Sequence, residues 1–305
     1  MSEMKARWTV AVHAFDARFD GLVDGRIYEL LRIGLALLLL LRSADFTRPW
    51  LSLDHYEWVK GFDFSWSVAE SPYLVSPLVP GLVLGARATW LLVRARFALA
   101  LLLLFRIRLR WIALLLTLFD YALLFADRYR YFHHFQVLYL AIAWLTLSPT
   151  RPASGDDLRP AWPLQLLRSA LLGIYFASGT AKLTVDWWSG DSLAVLAHLH
   201  QMNGRVWTWS SNAFGFGGLA KLVCFAELSL VLLLSLRATR RAGVVLGFVF
   251  HGLVSCVLPV STFGATMALL LASFWPARKC RVSPPAVRAR GTAGERAEDV
   301  ADVGV

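Results

Sequence analysis

The chain alternates long apolar stretches with short stretches that contain most of its charged residues. A membrane-spanning α-helix needs roughly 20 mainly apolar residues, and eight runs approach that length. They lie at 27–44, 89–105, 111–126, 131–148, 164–184, 216–236, 242–258 and 262–276. The pattern predicts an all-α fold, a polytopic membrane bundle of about eight transmembrane helices.

The second of these segments is the least regular. Arg94 and Arg96 interrupt its apolar run, and three prolines lie in the stretch before it, at positions 72, 77 and 80. That preceding stretch could enter the membrane without crossing it. The pattern therefore leaves open whether the helix near 89–105 crosses fully.

Composition favours a membrane protein over a soluble one. Hydrophobic residues make up 57% of the chain and charged residues only 17%, outside the usual range of a soluble domain. A net charge of +10 is typical of nucleic-acid binding, but here the basic residues lie mainly in loops between apolar runs. We expect contact with the lipid bilayer and no nucleic-acid partner. Two of the three cysteines fall inside apolar runs, so no disulfide framework is expected.

Loop charges indicate the orientation of the helices. With eight crossings both termini share one side, and the loops and ends on that side contain 19 Lys and Arg against six on the other. Because basic residues concentrate in the cytoplasm, both termini are predicted to be cytoplasmic, with the bundle in the cell (inner) membrane. Residues 1–26 are expected to form an amphipathic segment without a cleavage site, 27–276 the transmembrane domain, and 277–305 a disordered basic tail.

Ionisable side chains inside the predicted helices mark a candidate site, because a charge there costs at least about 2.5 kcal/mol. Lys182 lies near the end of the fifth helix and His134 at the start of the fourth. Glu227 and His251 lie in the sixth and seventh helices. The helix directions allow all four to face one cavity that opens toward the outer leaflet. Asp120, in the third helix, is a further buried acid without an assigned partner.

Lysine is informative at position 182, because 26 of the 31 basic residues are arginine. A buried lysine can lose its proton and act as a base, whereas arginine stays protonated. Simpler alternatives remain open: Lys182 could reach the membrane interface, Glu227 could pair with a nearby Arg or Lys, and His251 could be a hydrogen-bonded packing residue. A metal site is not expected, because neither cysteine nor carboxylate accompanies the histidines at ligand spacing.

The residues from Tyr175 to Gly190 follow the spacing Y-F-x-x-G-x-x-K-L-x-x-D-W-x-x-G. This block resembles the vitamin K-dependent gamma-carboxylase superfamily, whose bacterial members are called HTTM (horizontally transferred transmembrane) domain proteins. A second block resembles the helix pair around the family's histidine; it consists of Arg240, Gly243, His251, Ser255 and Phe263. The likeness covers roughly residues 25–276, and Ala181 stands where the family has a second lysine.

The resemblance implies an enzyme. In it Lys182 would be the amine base that deprotonates reduced vitamin K or menaquinol, and His134 and His251 would orient the substrate or stabilise developing charge. Glu227, Tyr175 and Trp187 would surround these groups. The implied reaction is carboxylase-like or quinol-dependent, with a peptide or the lipid-soluble quinol as partner. The competing hypothesis is a non-enzymatic membrane maturation or partner protein, or a small-solute carrier. The sequence leaves the substrate and the oligomeric state open.

Overall fold

The computed structural model describes residues 21–47, 86–125, 133–149, 158–198, 204–258 and 262–275. Within them lie two short strands, β1 (Leu22–Asp24) and β2 (Leu158–Pro160). The helices in the same residues are α1 (Arg26–Thr47), α2 (Ala86–Leu104), α3 (Leu109–Phe125), α4 (His133–Leu145), α5 (Trp162–Ala181), α6 (Val185–Ser189), α7 (Asp191–His198), α8 (Gly204–Ser235), α9 (Arg240–Val257) and α10 (Phe263–Ala272). The predicted tail, 277–305, and most of the predicted N-terminal segment lie outside the described residues.

Each of the eight apolar runs forms a helix, which confirms the all-α prediction; the helices are α1 to α5 and α8 to α10. The sixth run was predicted to begin at 216, but α8 begins at Gly204. Inside α8 the backbone at Gly215 is non-helical, with φ 64° and ψ 170°. A positive φ suits glycine, which has no Cβ to clash. The predicted boundary therefore coincides with a break in α8, and the helical segment before that break was not anticipated.

Two described stretches, Arg205–Ser235 and Arg240–Val257, are long and apolar enough to cross a membrane. Gln136–Leu145 and Phe263–Ala272 are apolar but shorter. The α2 segment carries three arginines among its 19 residues. Eight full crossings therefore stay a prediction, while the helical architecture is observed.

The helices pack around one closed circuit. In the first half, α1 packs on α2, α2 on α3, and α3 on α4; in the second, α5 packs on α8, α8 on α9, and α9 on α10. Contacts of α10 with α1 and α4, and of α4 with α5, join the halves. The short helices α6 and α7 pack on α8, next to the C-terminal end of α5.

Polarity is inverted relative to a soluble protein. Large apolar side chains on the helix surfaces are at least half exposed, among them Leu37, Leu118, Phe225, Leu232 and Leu253. Ionisable side chains lie in the interior instead, namely Arg96, Asp120, Glu227 and His251. An apolar exterior of this extent marks a surface that contacts lipid or another protein.

A small antiparallel sheet joins the starts of α1 and α5. Val23 of β1 pairs with Arg159 of β2, and the hydroxyl of Tyr28 donates a hydrogen bond to the carbonyl of Pro160 at 2.6 Å. Sequence analysis did not anticipate these strands, because each has only three residues and their partners are distant in the chain.

A buried ion pair accounts for one of the three arginines in the irregular second helix. Arg96 Nη1 lies 3.2 Å from Asp120 Oδ1, and the two side chains are 1% and 0% exposed. Of the two arginines that interrupt the apolar run, Arg96 therefore points into the bundle, where it links α2 to α3, and Arg94 is exposed. The α2 helix runs without a break from Ala86 to Leu104.

Candidate functional site

One face of α5 carries the polar residues of the motif block. Residues three and four apart share a helix face, and this one contains Tyr175, Ser178, Gly179 and, just after the helix ends, Lys182. The face packs on α8. A Cβ added at Gly179 would lie 2.8 Å from Cδ2 of Leu228. Glycine at 179 therefore permits the close approach of α5 and α8.

Lys182, Ser178 and Glu227 form a closed triangle of hydrogen bonds between α5 and α8. Lys182 Nζ donates to Glu227 Oε2 at 2.7 Å, to Ser178 Oγ at 2.6 Å and to the Ser178 carbonyl at 3.2 Å. These three acceptors match the three hydrogens of an ammonium group. Ser178 Oγ in turn donates to Glu227 Oε1 at 3.0 Å. The geometry is that of a lysine held as a cation by a carboxylate.

The Lys182–Glu227 ion pair is mostly buried but remains partly exposed. The side chains of Lys182 and Glu227 are 18% and 11% exposed. The ring of Trp187 lies with its centroid 5.3 Å from Lys182 Nζ, within the range of a cation–π contact. Trp187 is itself fixed by a hydrogen bond from its Nε1 to the Ala220 carbonyl at 2.8 Å. An approaching hydroxyl or carboxyl group could therefore reach the amine beside an aromatic surface.

The last glycine of the motif positions this tryptophan. Gly190 ends α6 with φ 92°, a conformation that favours glycine. A Cβ there would collide with the backbone nitrogen of Gly217. The turn from α6 into α7 therefore lies directly against α8, close to the break at Gly215, which brings Trp187 beside Lys182.

A second polar pair lies deeper in the bundle. The hydroxyl of Tyr175 is 2.7 Å from Nε2 of His251, and both residues are 2% exposed. The edges and faces of Phe250 and Phe263 surround the imidazole. Its Nδ1 is buried and has no hydrogen-bond partner in the described part of the chain. A buried nitrogen in this state can accept or donate one more hydrogen bond.

The Lys182–Glu227 and Tyr175–His251 pairs lie at different heights along α5 rather than in one cluster. Tyr175 and Lys182 are seven residues apart, which is roughly 10 Å along a helix. The structure thus brings Lys182 to Glu227 and His251 to Tyr175. His134 lies in the first turn of α4, and its side chain is outside the described residues. A single cavity shared by all four predicted groups stays a prediction.

Ser178 was not among the predicted site residues, although its position in the sequence contains a signal. Ser178 precedes Lys182 by four residues, so the two side chains lie on the same face of α5. In the spacing of the motif block, position 178 is one of those written x, so the motif gave no reason to select Ser178. The pairing of Glu227 with a basic residue was one of the alternatives that the sequence left open.

This arrangement can move a proton over a short distance. The 2.7 Å between Lys182 Nζ and Glu227 Oε2 is within the range over which acids and bases exchange protons. Ser178 contacts both groups and can hold either charge state in place. The same contacts would also serve a purely structural link between α5 and α8, since polar groups commonly join helices in membranes.

Comparison with known proteins points to one family. The HTTM domain matches residues 29–278, which run from the first turn of α1 to beyond α10 and include every residue of the candidate site. No curated protein and no solved structure matches the chain.

Proposed function

We propose that this chain, which belongs to the HTTM domain family, is a multi-pass protein of the cell membrane with eight spanning helices and cytoplasmic termini. Three observations support the proposal. Apolar side chains cover the helix surfaces, and ionisable groups face the interior, which is the usual arrangement in a bilayer. Two helical stretches have the length and hydropathy of membrane spans. If the eight runs all cross, the loops and ends on the side of both termini contain 19 Lys and Arg, against six on the other side.

Within this bundle we propose that Lys182 and Glu227 form the proton-transfer centre of an enzyme. The observation that carries the proposal is the 2.7 Å contact between the amine and the carboxylate. Ionisable groups kept inside a membrane are functional candidates because of the free-energy cost of placing them there. Partial exposure of both side chains leaves room for a substrate proton to reach them.

Proton transfer within the pair prepares the amine to act as a base. When Nζ of Lys182 passes one proton to Oε2 of Glu227, the ion pair becomes a neutral amine and a carboxylic acid. The amine can then accept a proton from a substrate. Ser178 Oγ is within hydrogen-bond distance of both Lys182 and Glu227 and keeps their side chains in contact.

A lipid-soluble quinol fits these residues. Reduced vitamin K or menaquinol, when bound, supplies an acidic hydroxyl group and two reducing equivalents for a reaction with oxygen. Lys182 would accept the hydroxyl proton, and the ring of Trp187 offers an aromatic surface beside it. Nδ1 of His251, which has no hydrogen-bond partner among the residues that the structure describes, is a polar atom that can bind a further oxygen of a substrate. His134 is proposed, by the resemblance to the carboxylases, as a further polar contact.

Turnover of a quinol by the full chain tests the assignment. The protein is reconstituted in lipid nanodiscs with vitamin K hydroquinone or menaquinol and oxygen, and the quinone epoxide is measured by chromatography. One quinol and one O2 yield one epoxide and one water. We expect turnover by the wild type, none by Lys182→Ala, and at least roughly 100-fold less by Lys182→Arg, which keeps the charge but not the base. A peptide containing glutamate, added with bicarbonate, tests whether carboxylation accompanies the oxidation.

Lys221 provides the matched control. It lies on α8 with Nζ 5.9 Å from the ring centroid of Trp188, so Lys221→Ala removes a lysine from the same region without removing the proposed base. We expect this variant to retain turnover. If Lys182→Ala turns over as fast as the wild type, the proposed chemistry is wrong. If the wild type oxidises neither quinol, the partner or carrier hypothesis takes precedence.

A further inference from the structure

The connection between α2 and α3 presents aromatic, apolar and basic side chains on the surface of the protein. Phe105 is 71% exposed, Ile107 47% and Trp111 66%. Arg108 and Arg110 are exposed as well. We call these five residues the basic–aromatic turn. A surface that combines large exposed apolar side chains with positive charge is typical of a site that contacts a partner.

The backbone of this connection ends α2 with a Schellman motif. The N–H of Arg106 donates to the Leu103 carbonyl at 3.1 Å, and the N–H of Ile107 donates to the Leu102 carbonyl at 3.0 Å. Arg106 has φ 61°, at a position that is usually glycine. Its guanidinium group donates a hydrogen bond to Glu29 on α1. A contact inside the protein therefore accounts for an arginine at position 106.

No internal contact of this kind explains Arg108. Its φ is 42°, in the left-handed region that residues other than glycine adopt only at a cost in free energy. Arg108 directly precedes α3, where Ser, Thr, Asn or Asp are preferred because their oxygen atoms cap the helix, and a guanidinium group has no acceptor. Within the described residues, its side chain makes no hydrogen bond or ion pair. A strained residue without an internal partner is a candidate for an external contact.

The charge of the basic–aromatic turn indicates an anionic partner. The sequence contains neither Asp nor Glu from position 86 to position 119. Arg110 resembles Arg108 in that its side chain forms no hydrogen bond or ion pair in the part of the chain that the structure describes. Glu29, the acid nearest in the fold by its contact with Arg106, is occupied by that contact. A negatively charged surface therefore complements the turn.

The aromatic residues favour a lipid surface as that partner. Trp and other aromatic side chains concentrate where a membrane helix meets the headgroup region, and Phe105 and Trp111 flank the ends of α2 and α3. Arginines next to a membrane helix bind anionic lipids, because a guanidinium group forms two parallel hydrogen bonds with a phosphate. In the proposed orientation this connection lies on the cytoplasmic side, together with both termini.

We propose that the basic–aromatic turn is a docking surface for anionic phospholipids of the cytoplasmic leaflet. Arg108 and Arg110 contact the headgroup phosphates, and the rings of Phe105 and Trp111 lie at the boundary between headgroups and acyl chains. This inference rests on the proposed membrane location of the chain, and it is independent of the chemistry proposed for Lys182.

Thermal unfolding of the full chain in nanodiscs of two compositions tests the docking surface. The Tm of the wild type is expected to be roughly 4 °C higher in phosphatidylcholine with phosphatidylglycerol than in phosphatidylcholine alone. About 0.5 M NaCl should remove at least half of this rise, because salt screens exposed charges. If the folded chain does not assemble into phosphatidylcholine nanodiscs, the membrane location is wrong and the docking surface falls with it. Assembly without a rise overturns the docking surface alone.

Two double variants decide whether this turn, rather than positive charge in general, is responsible. Arg108→Gln with Arg110→Gln is expected to lose at least roughly two thirds of the rise. Arg237→Gln with Arg241→Gln is the matched control, because it removes two exposed arginines from the connection between α8 and α9, which has no aromatic residue. This control is expected to lose at most roughly one third. Equal losses in the two double variants overturn the proposal.

Single replacements of Arg108 separate lipid binding from folding, and they also decide the matter if the first double variant does not fold. Arg108→Gly relieves the left-handed backbone, so its Tm in phosphatidylcholine should be unchanged or higher by up to roughly 3 °C. Its rise with phosphatidylglycerol should fall by about half. Arg108→Lys keeps the charge and should keep most of the rise. A full rise in Arg108→Gly, or a lower Tm of this variant in phosphatidylcholine, shows that Arg108 serves the fold and overturns the proposal.

Discussion

Tyr175 and His251 join α5 to α9 through a hydrogen bond of 2.7 Å between the tyrosine hydroxyl and Nε2 of the imidazole. Both residues are buried and belong to the motif blocks. Their bond lies about two helix turns from Lys182. It therefore supports the α5 surface on which the Lys182–Glu227 pair is built. Within the described residues, Nδ1 of His251 makes no hydrogen bond.

A double-mutant cycle should show that this bond is made in the folded protein. Tyr175→Phe leaves a buried imidazole nitrogen without its partner and is expected to cost about 1–3 kcal/mol. His251→Leu should cost a similar amount. The double variant should cost at least about 0.5 kcal/mol less than the sum of the two single variants, because the two residues are in contact. Chemical unfolding in detergent provides the free energies, and strictly additive effects would argue against the bond.

The close approach of α5 and α8 depends on Gly179. A Cβ at this position meets Leu228 at 2.8 Å, so Gly179→Ala should force the helices apart and destabilise the fold by about 1–3 kcal/mol. Gly173, on the same helix, is the matched control because a Cβ there meets no atom within 4 Å. Gly173→Ala should be neutral or stabilise the protein by up to about 1 kcal/mol. Equal unfolding temperatures for the two variants would contradict the packing described.

The Arg96–Asp120 pair should behave as a buried link. Removing one partner, in Asp120→Leu, breaks a buried ion pair and should cost about 3–5 kcal/mol. Adding Arg96→Met should recover most of that loss, since two apolar side chains can replace a buried pair. Arg94→Gln, an exposed position on the same helix, should change stability by less than about 1 kcal/mol. Failure of the double replacement to recover stability would count against this link.

Reporter fusions test the proposed orientation. A reporter that is active only in the cytoplasm should be active when fused after Arg241 or within the tail. It should be inactive when fused near Arg205, because the start of α8 is expected on the outer face. A reporter active only outside should give the reverse pattern. The same activity at Arg205 and Arg241 would exclude eight crossings with cytoplasmic termini.

The positions of the helices could be predicted because hydropathy is a local property. Apolar runs at 164–184 and 242–258 correspond to α5 and α9 within three residues at each end. Pairings distant in sequence could not be predicted in this way. The bond between β1 and β2 joins two three-residue segments more than 130 positions apart, and neither has a periodic pattern.

In the candidate site too, the residues could be predicted from the sequence but their contacts could not. Lys182, Glu227 and His251 could be selected from the sequence because each places a polar group in an apolar run. Which groups touch depends on helix rotation and on glycine contacts such as the one at Gly179, and apolar runs contain no such information. For that reason the partner of Asp120 was not identified, and Ser178 was missed.

The central claim is that the Lys182–Glu227 pair performs chemistry rather than holding two helices together. Replacing both residues, in Lys182→Met with Glu227→Leu, substitutes apolar packing for the ion pair and should preserve stability to within about 2 kcal/mol of the wild type. Quinol oxidation by this folded variant, measured beside the wild type and Lys221→Ala, is the most direct test. We predict a folded protein without turnover. A folded double variant that oxidises the quinol at the wild-type rate would contradict the claim.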